Sequence, residues 1–384
     1  VGRGGSDMKR FATGLSAAVA TALLALPAQS QQTIGIGANY MGYTFDDGLG
    51  AEAAQLLLVP LAVRLPMGAL TLDVYSAWAE GKVEQDDRTF SLSGVVDTRV
   101  KASLQATPWA LLSLGVSLPT GNSTHTGQEA VVASVLATDL LGFQEATWGT
   151  GFAMTSSAAT AVQAGQFGIG VAASYSVRGE FEPSSEVDLT YQPGNETRIR
   201  VGIDRNFGGS TLTAGGTFMR YSQDEAAGTN LFQFQAGNRM RFDASYAFRA
   251  GAGVWSIYAA DLWRENGDLT LSVVDNANVA VGDTTLTTAS QNLVVAGLVG
   301  SIGVGSLIFR PQIDVKYQTR EEADGRNEGS GWMMGAGGDL PLRLFGAYDF
   351  FPKARVLFGS IEDGTGTARG VMGAEFSGTF RWSF

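Results

Sequence analysis

Between Arg239 and Arg249 the chain changes character at every residue. Arg239, Arg241, Asp243, Ser245, Ala247 and Arg249 alternate with Met240, Phe242, Ala244, Tyr246 and Phe248. Successive side chains of a strand point to opposite faces, so this segment predicts an extended strand with one greasy and one charged face. The pattern recurs in Arg310, Gln312, Asp314, Lys316, Gln318 and Arg320 against Pro311, Ile313, Val315, Tyr317 and Thr319. It recurs in Asp97, Arg99, Lys101, Ser103 and Gln105 against Val96, Thr98, Val100, Ala102 and Leu104, and in Arg198 and Arg200 against Ile199, Val201 and Ile203. A soluble sandwich also alternates, but it packs its apolar faces together as a core. Here the strands are long, the charge runs deep into them, and small residues dilute both faces. The expectation is a closed sheet with its apolar face outward in lipid and its arginines in a hydrated hollow. An Arg or Lys on the lipid face costs about 2–4 kcal/mol near the bilayer midplane. Slipping the Arg239 strand by one residue exposes several charges, a penalty on the order of 10 kcal/mol, and this fixes its phase.

Composition removes most alternatives. Among 384 residues there are 51 glycines, one histidine and no cysteine. No disulfide scaffold, thiolate metal site or paired-histidine zinc site can be built from that set. Charged residues are 16% of the chain, below the roughly 25% of a soluble domain. A net charge of −11 argues against nucleic acid as a partner. The reading expects no cofactor and no metal.

The first thirty residues read as an address. Residues 1–7 are taken as an upstream extension and 8–30 as a secretory signal peptide. The signal has a basic start at Met8-Lys9-Arg10, an apolar stretch from Leu15 to Leu26, and Ala28-Gln29-Ser30 before cleavage at Gln31. Residues 31–384 are then the barrel. No later apolar run reaches the length of a membrane-spanning helix; Leu56-Leu57-Leu58-Val59 stops at Pro60.

The last strand carries the most specific pattern. Met372, Ala374, Phe376, Gly378, Phe380, Trp382 and Phe384 share one face, with Glu375, Ser377, Thr379, Arg381 and Ser383 on the other. This strand resembles the C-terminal assembly signal of bacterial outer-membrane β-barrel proteins. The resemblance implies an all-β, closed, antiparallel up-and-down transmembrane barrel in the outer membrane. It also implies lipid and lipopolysaccharide as surroundings, the barrel assembly machinery as a partner through the strand ending at Phe384, and a homotrimer as the common state of porins of this size. The whole chain parses into about sixteen strands, with fourteen or eighteen as alternatives, joined by short periplasmic turns and long extracellular loops. Among the segments are strands at 145–156, 161–178 and 231–249, a turn at Ser157–Ala159, and long loops at 119–144, 179–195 and 266–288. Trp78, Trp148, Trp263 and Trp332 are expected in an outer aromatic girdle, and Trp109, Trp255 and Trp382 in an inner one. Trp255 shares its face with an acid read as lumenal, so the girdle pattern is not uniform. The acid-rich loops (Glu84, Asp86 and Asp87; Glu180, Glu182 and Glu186; Glu321, Glu322, Asp324 and Glu328) read as solvated surface.

The residues expected to line the pore are Arg99, Lys101, Arg198, Arg200, Arg239, Arg241, Asp243, Arg310, Asp314 and Lys316. A mostly basic wall in a wide hydrated hollow concentrates anions, which predicts a passive diffusion channel for small polar or anionic solutes. In loop 119–144, the apolar stretch from Gln128 to Leu141 suits one face of a short helix. It is expected to fold inward as a constriction carrying Glu129 and Asp139, or to extend the neighbouring strands along the lipid. Leu114-Gly115-Val116-Ser117-Leu118-Pro119-Thr120-Gly121 resembles a strand end of fatty-acid and aromatic-hydrocarbon channels, which implies transport of hydrophobic compounds as an alternative. Those channels begin with an N-terminal hatch, whereas the first strand here is expected within a few residues of Gln31. A barrel enzyme or an adhesive barrel is the remaining alternative. The single imidazole, His125, lies in Asn122-Ser123-Thr124-His125-Thr126 and reads as a loop residue, not a catalytic base.

Overall fold

The computed structural model describes residues 32–145, 148–228, 232–274, 280–321, 329–346 and 348–384. The expected extension and signal peptide lie outside the described residues. The wall begins with β1 (Thr33–Phe45), β2 (Ala53–Met67), β3 (Leu70–Gln85), β4 with β5 (Arg88–Val95 and Thr98–Thr107) and β6 (Ala110–Leu118). It continues with β7 (Ala153–Ala164) and β8 (Phe167–Arg178), and β9 (Leu189–Gln192) then leaves it. Next come β10 (Glu196–Phe207) and β11 (Ser210–Tyr221), an excursion through β12 (Asp224–Gly228) and β13 (Phe232–Gln235), then β14 (Arg239–Ala250) and β15 (Gly253–Arg264). A second excursion, β16 (Gly267–Val274) and β17 (Ala280–Thr288), precedes β18 (Gln291–Val304) and β19 (Leu307–Arg320). The wall ends with β20 and β21 (Gly331–Asp339 and Leu342–Phe345), β22 (Tyr348–Glu362) and β23 (Ala368–Ser383).

These are eighteen strand segments of one sheet; β4 with β5, and β20 with β21, are single staves interrupted once, which leaves sixteen. Every stave pairs antiparallel with its neighbours in the chain. The sheet closes where β1 meets β23 along its whole length, from Thr33 opposite Ser383 to Phe45 opposite Val371. The ends are clasped by Gln32 N–H to Phe384 O (3.1 Å) and Phe384 N–H to Gln32 O (3.0 Å). Closure leaves no edge in the wall, the condition for placing a sheet in hydrocarbon.

The faces separate as the alternation demands. Phe242, Ile257, Val201, Val356, Met372 and Phe376 are each more than half exposed on the outside. Trp109, Trp263, Trp332 and Trp382 are exposed on the same surface near strand ends, as an aromatic girdle requires, and Trp78 is exposed there midway along β3. Trp255 shares its face with Asp261, which lies opposite the outward Phe242 and Val294. Asp261 therefore belongs to the outer face and is not lumenal. Trp148 is no girdle residue: it is wholly buried inside the barrel.

Several boundaries differ from the sequence reading, and the strand read from 145 starts only at Ala153. The β7–β8 turn lies at Gly165-Gln166, where Gly165 takes a φ of +64°, and not at Ser157–Ala159. Ser156, Ala158 and Thr160 have turn-like composition, but they continue the outward register of Met154 and Val162, and only glycine adopts the left-handed turn easily. The segment read as one strand over 231–249 splits, with β13 leaving the wall before β14 starts. Finally, β3 and β4 run beyond the expected strand ends to a hairpin whose tip, Asp86-Asp87, has φ values of +50° and +57°. Two connections expected as long loops, 179–195 and 266–288, contribute to a separate five-stranded sheet in the order β17-β16-β13-β12-β9.

Candidate functional site

The hollow of the barrel is occupied on one side by the segment joining β6 to β7. Its helix, α1 (Gly127–Leu136), starts at a capping box: Thr126 Oγ1 accepts from Glu129 N–H, and the Glu129 carboxylate accepts from Thr126 N–H at 2.8 Å. Glu129, expected to face the pore at a constriction, thus holds the helix start. The segment folds inward because its apolar side chains find an apolar half of the wall. Val132, Leu136, Leu140, Leu141, Phe143 and Trp148 join one buried cluster with Met41, Leu56, Leu58, Val83, Leu92 and Val371.

Two bare glycines make the seat. A Cβ on Gly81 of β3 would lie 2.6 Å from Leu136 Cδ1 and 2.9 Å from both Val132 Cγ1 and the Trp148 ring. Across the hollow, a Cβ on Gly331 of β20 would lie 2.5 Å from Leu140 Cδ2. Polar contacts then lock the segment at several points. Trp148 Nε1–H donates to Ala79 O (2.8 Å), Tyr43 O–H to Leu141 O (2.7 Å) and Gln291 Nε2–H to the Asp139 carboxylate (2.8 Å). Lys316 Nζ donates to Leu140 O at 3.4 Å, and Arg99 donates to both oxygens of Glu145 at 3.3 Å. Asp97, at the break between β4 and β5, accepts from Gly121 N–H and Thr150 N–H and so ties both ends of the segment to the wall. Of the residues expected on the loop and the wall beside it, Asp139, Lys316 and Arg99 are all engaged in this anchorage.

The wall formed by β8, β10, β11 and β14 is polar. Arg178 pairs with Glu196 at 2.8 Å, both nearly fully buried, and Arg198 reaches the other oxygen of Glu196 at 2.5 Å. Arg200 forks onto Asp243 with Nη1–Oδ1 at 2.7 Å and Nη2–Oδ2 at 2.8 Å, a two-point geometry only a guanidinium provides. That reach from β10 to β14 passes over Gly215 of β11, where a Cβ would stand 2.7 Å from Arg200 Nη2. Arg241 adds a longer contact to Asp243 at 3.4 Å, and Arg239 lies over the Tyr221 ring at 5.2 Å. The arginines differ in access: about a third of the Arg198 and Arg200 side chains is open to the hollow, whereas Arg241 and Arg239 are largely covered. On the opposite side Arg355 bridges Asp314 and Glu375, Lys353 holds Glu375 at 2.5 Å, and Arg310 pairs loosely with Asp339 at 3.7 Å.

Several of these groups were not singled out from sequence. Lys353 and Arg355 alternate with Ala354 and Val356 and carry the same period-two signal as the strands that were read. Arg178 and Glu196 sit at opposite ends of a long connection, and only the β8–β10 pairing brings them together. Glu145 and Trp148 fell in or beside a segment read as a strand. His125 serves as a backbone clasp: its N–H donates to Pro183 O, and its carbonyl accepts from Ser185 N–H.

No family model and no curated protein matches the sequence. Among solved structures, the barrel is similar to Pseudomonas aeruginosa OccK9 (OpdG), at 10% identity over 92% of this chain and 98% of that one, TM-score 0.49. It is similar also to P. aeruginosa OccK2 (OpdF) in complex with glucuronate, at 10% identity over 92% and 98%, TM-score 0.45. The CymD monoaromatic hydrocarbon channel matches at 9% identity over 100% and 94%, TM-score 0.43. The physical case rests on the chain's own surfaces. A seamless antiparallel wall with lipid-compatible side chains and aromatic girdles outside, and paired charges inside, can exist only across a membrane. With sixteen staves and a terminal strand closing onto the first, this chain folds as a closed antiparallel transmembrane β-barrel.

Proposed function

We propose that the barrel is a passive diffusion channel for small polar solutes, with a preference for anions. The observation that carries this reading is the charge balance of the wall left open beside the inward segment. Arg178, Arg198, Arg200 and Arg241 stand on β8, β10 and β14 and share two acids, Glu196 and Asp243, with Arg198 and Arg200 the two most open to the hollow. A surplus of positive charge along a low-dielectric wall raises the local concentration of anions and orients them as they pass. The inward residues 119–145 and 148–152 narrow the passage on the other side, so solutes travel along the arginines. The reading assigns no catalytic role to any residue. Purified protein in a planar bilayer under a KCl gradient should show discrete current steps with a reversal potential on the chloride side. Replacing Arg198 and Arg200 together by glutamine should move that potential toward zero. A silent bilayer, or a cation-side potential in the unmodified protein, sinks the proposal.

A further inference from the structure

Asp261 is out of place on the outer surface. It stands on β15 two residues nearer the bilayer midplane than Trp263, so a carboxylate faces hydrocarbon below the aromatic girdle. Its Oδ1 is screened from solvent and accepts no hydrogen bond, and Asn292 Oδ1, across from Trp263 on β18, is in the same condition. Ionisable groups at such depth are costly unless they are paired. Other outward charges are provided for: Lys82 holds Glu80 at 2.8 Å, and Arg205 lies over the Phe167 and Phe207 rings at 4.8 and 4.4 Å. Arg220 of β11 is outward and exposed between the inward Met219 and Tyr221. Like Asp261, it has no ion-pair partner among the described residues.

The two groups lie at nearly one depth. Hydrogen-bonded rows climb toward the long-loop end in chain order. The row from Thr33, at the short-turn end of β1, runs through Arg64, Asp73, Lys101, Gly115, Thr155 and Ser176 to Glu196, at the long-loop end of β10. Met219 shares a row with Arg239 and Arg264, so the row of Arg220 crosses at Glu265, four residues above Asp261. With strands spaced about 4.8 Å, rising about 3.3 Å per residue and tilted about 40°, two staves of climb add about 6 Å and four residues of descent remove about 10 Å. Asp261 is then about 4 Å deeper than Arg220 and about 16 Å around the barrel, too far for the two to meet within one chain.

A copy inserted in the same sense is related by rotation about the membrane normal, which leaves every depth unchanged. We infer that the long-loop end of the β11–β14–β15 face docks a second copy of this chain, Asp261 of each copy pairing with Arg220 of its neighbour. Phe218, Met240 and Trp263, one row across the three staves, form the apolar floor between the charges. Headgroups can solvate Arg220 but leave Asp261 unpaired, whereas the chain itself carries the complement at matching depth. The inference rests on the closed wall and is independent of conduction.

The test counts copies in phospholipid bilayers: dye-labelled protein is reconstituted at high dilution and photobleaching steps are read spot by spot. Unmodified protein should bleach in more than one step. Arg220→Asp and Asp261→Asn should each raise the dissociation constant about tenfold or more, while Arg205→Gln, elsewhere on the outer face, should leave it unchanged. Joining Arg220→Asp to Asp261→Arg should return it to within about threefold of the unmodified value. Each variant is first checked for the heat-modifiable gel mobility of a folded barrel, and Arg220→Asp with Asp261→Asn decides the matter where the reversed pair does not fold. Single-step spots for the unmodified protein, or association that survives both Arg220→Asp and Asp261→Asn, overturns the interface. A folded reversed pair that stays as dissociated as Arg220→Asp alone overturns the pairing.

Discussion

Trp148 is the keystone of the inward segment, and its replacement by alanine should unseat that segment without unfolding the barrel. The indole is wholly buried against Gly81 and donates a 2.8 Å hydrogen bond to Ala79 O. Removing a buried aromatic costs about 3–5 kcal/mol, and losing a hydrogen bond of this kind costs about 1 more. The total, about 4–6 kcal/mol, lowers the ratio of seated to unseated segment by about 10³–10⁴-fold. The barrel wall is closed by its own ladders, and the one backbone bond that it makes to this residue, Asp97 N–H to Trp148 O at 2.9 Å, involves no side-chain atom, so its resistance to denaturant should change far less than the seating. Single-channel recording is the assay: Trp148→Ala should show larger and noisier conductance steps than the unmodified protein, while Trp109→Ala, on the outer face, should not. Unaltered step size and noise in a folded Trp148→Ala barrel would refute the idea that this residue holds the constriction.

Other consequences can be measured directly. Asp243→Asn removes the acid shared by Arg200 and Arg241 and should increase anion selectivity, opposite in sign to the Arg198→Gln/Arg200→Gln pair; reversal potentials in a KCl gradient give both signs. Ile257→Arg places a charge on the lipid face within β15, opposite Tyr246 and Leu298, and should lower stability by about 2–4 kcal/mol in urea titrations of vesicle-inserted protein. In the extracellular turn between β22 and β23, the Thr365 hydroxyl, the backbone N–H of Thr367 and the Arg369 guanidinium hold the Asp363 carboxyl well below the usual carboxylate range. A depressed carboxyl stabilises the folded turn above its unfolded value of about 3.9, and that contribution is lost only as pH falls further, through the folded value. Amide exchange at Thr367 should therefore stay protected at pH 5 and rise on acidification below about pH 4, and Asp363→Asn should remove that dependence.

The phase of the wall strands was legible because lipid penalises error: at Arg239, Arg241 and Asp243 only one phase keeps charge out of hydrocarbon. Contrast between faces is what made it readable, and where contrast failed the reading failed. The run Ser156 to Ala161 is small on both faces, so its composition looked like a turn when the strand in fact continued to Ala164. The sheet of β9, β12, β13, β16 and β17 is not part of the wall's hydrogen-bonded ladder, and its strands carry no apolar-against-charged signature. The inward helix announced itself through its apolar residues, but its seat did not: Gly81 and Gly331 matter for what they lack. Trp148 lies close to a strand end and so looked like a girdle residue until the path of its segment was known. The Arg200–Asp243 fork spans two non-adjacent staves over Gly215, a three-strand coincidence that spacing along the chain cannot reveal.

The central claim is that β14 separates lipid from a conducting hollow, and because the chain has no cysteine it can be probed one residue at a time. Single cysteines from Met240 to Ser245 would be exposed to a sulfonated thiol reagent during current recording in a bilayer. Positions 241, 243 and 245 should react and reduce the current while 240, 242 and 244 stay inert; uniform reactivity, or labelling of the even positions alone, would contradict the account.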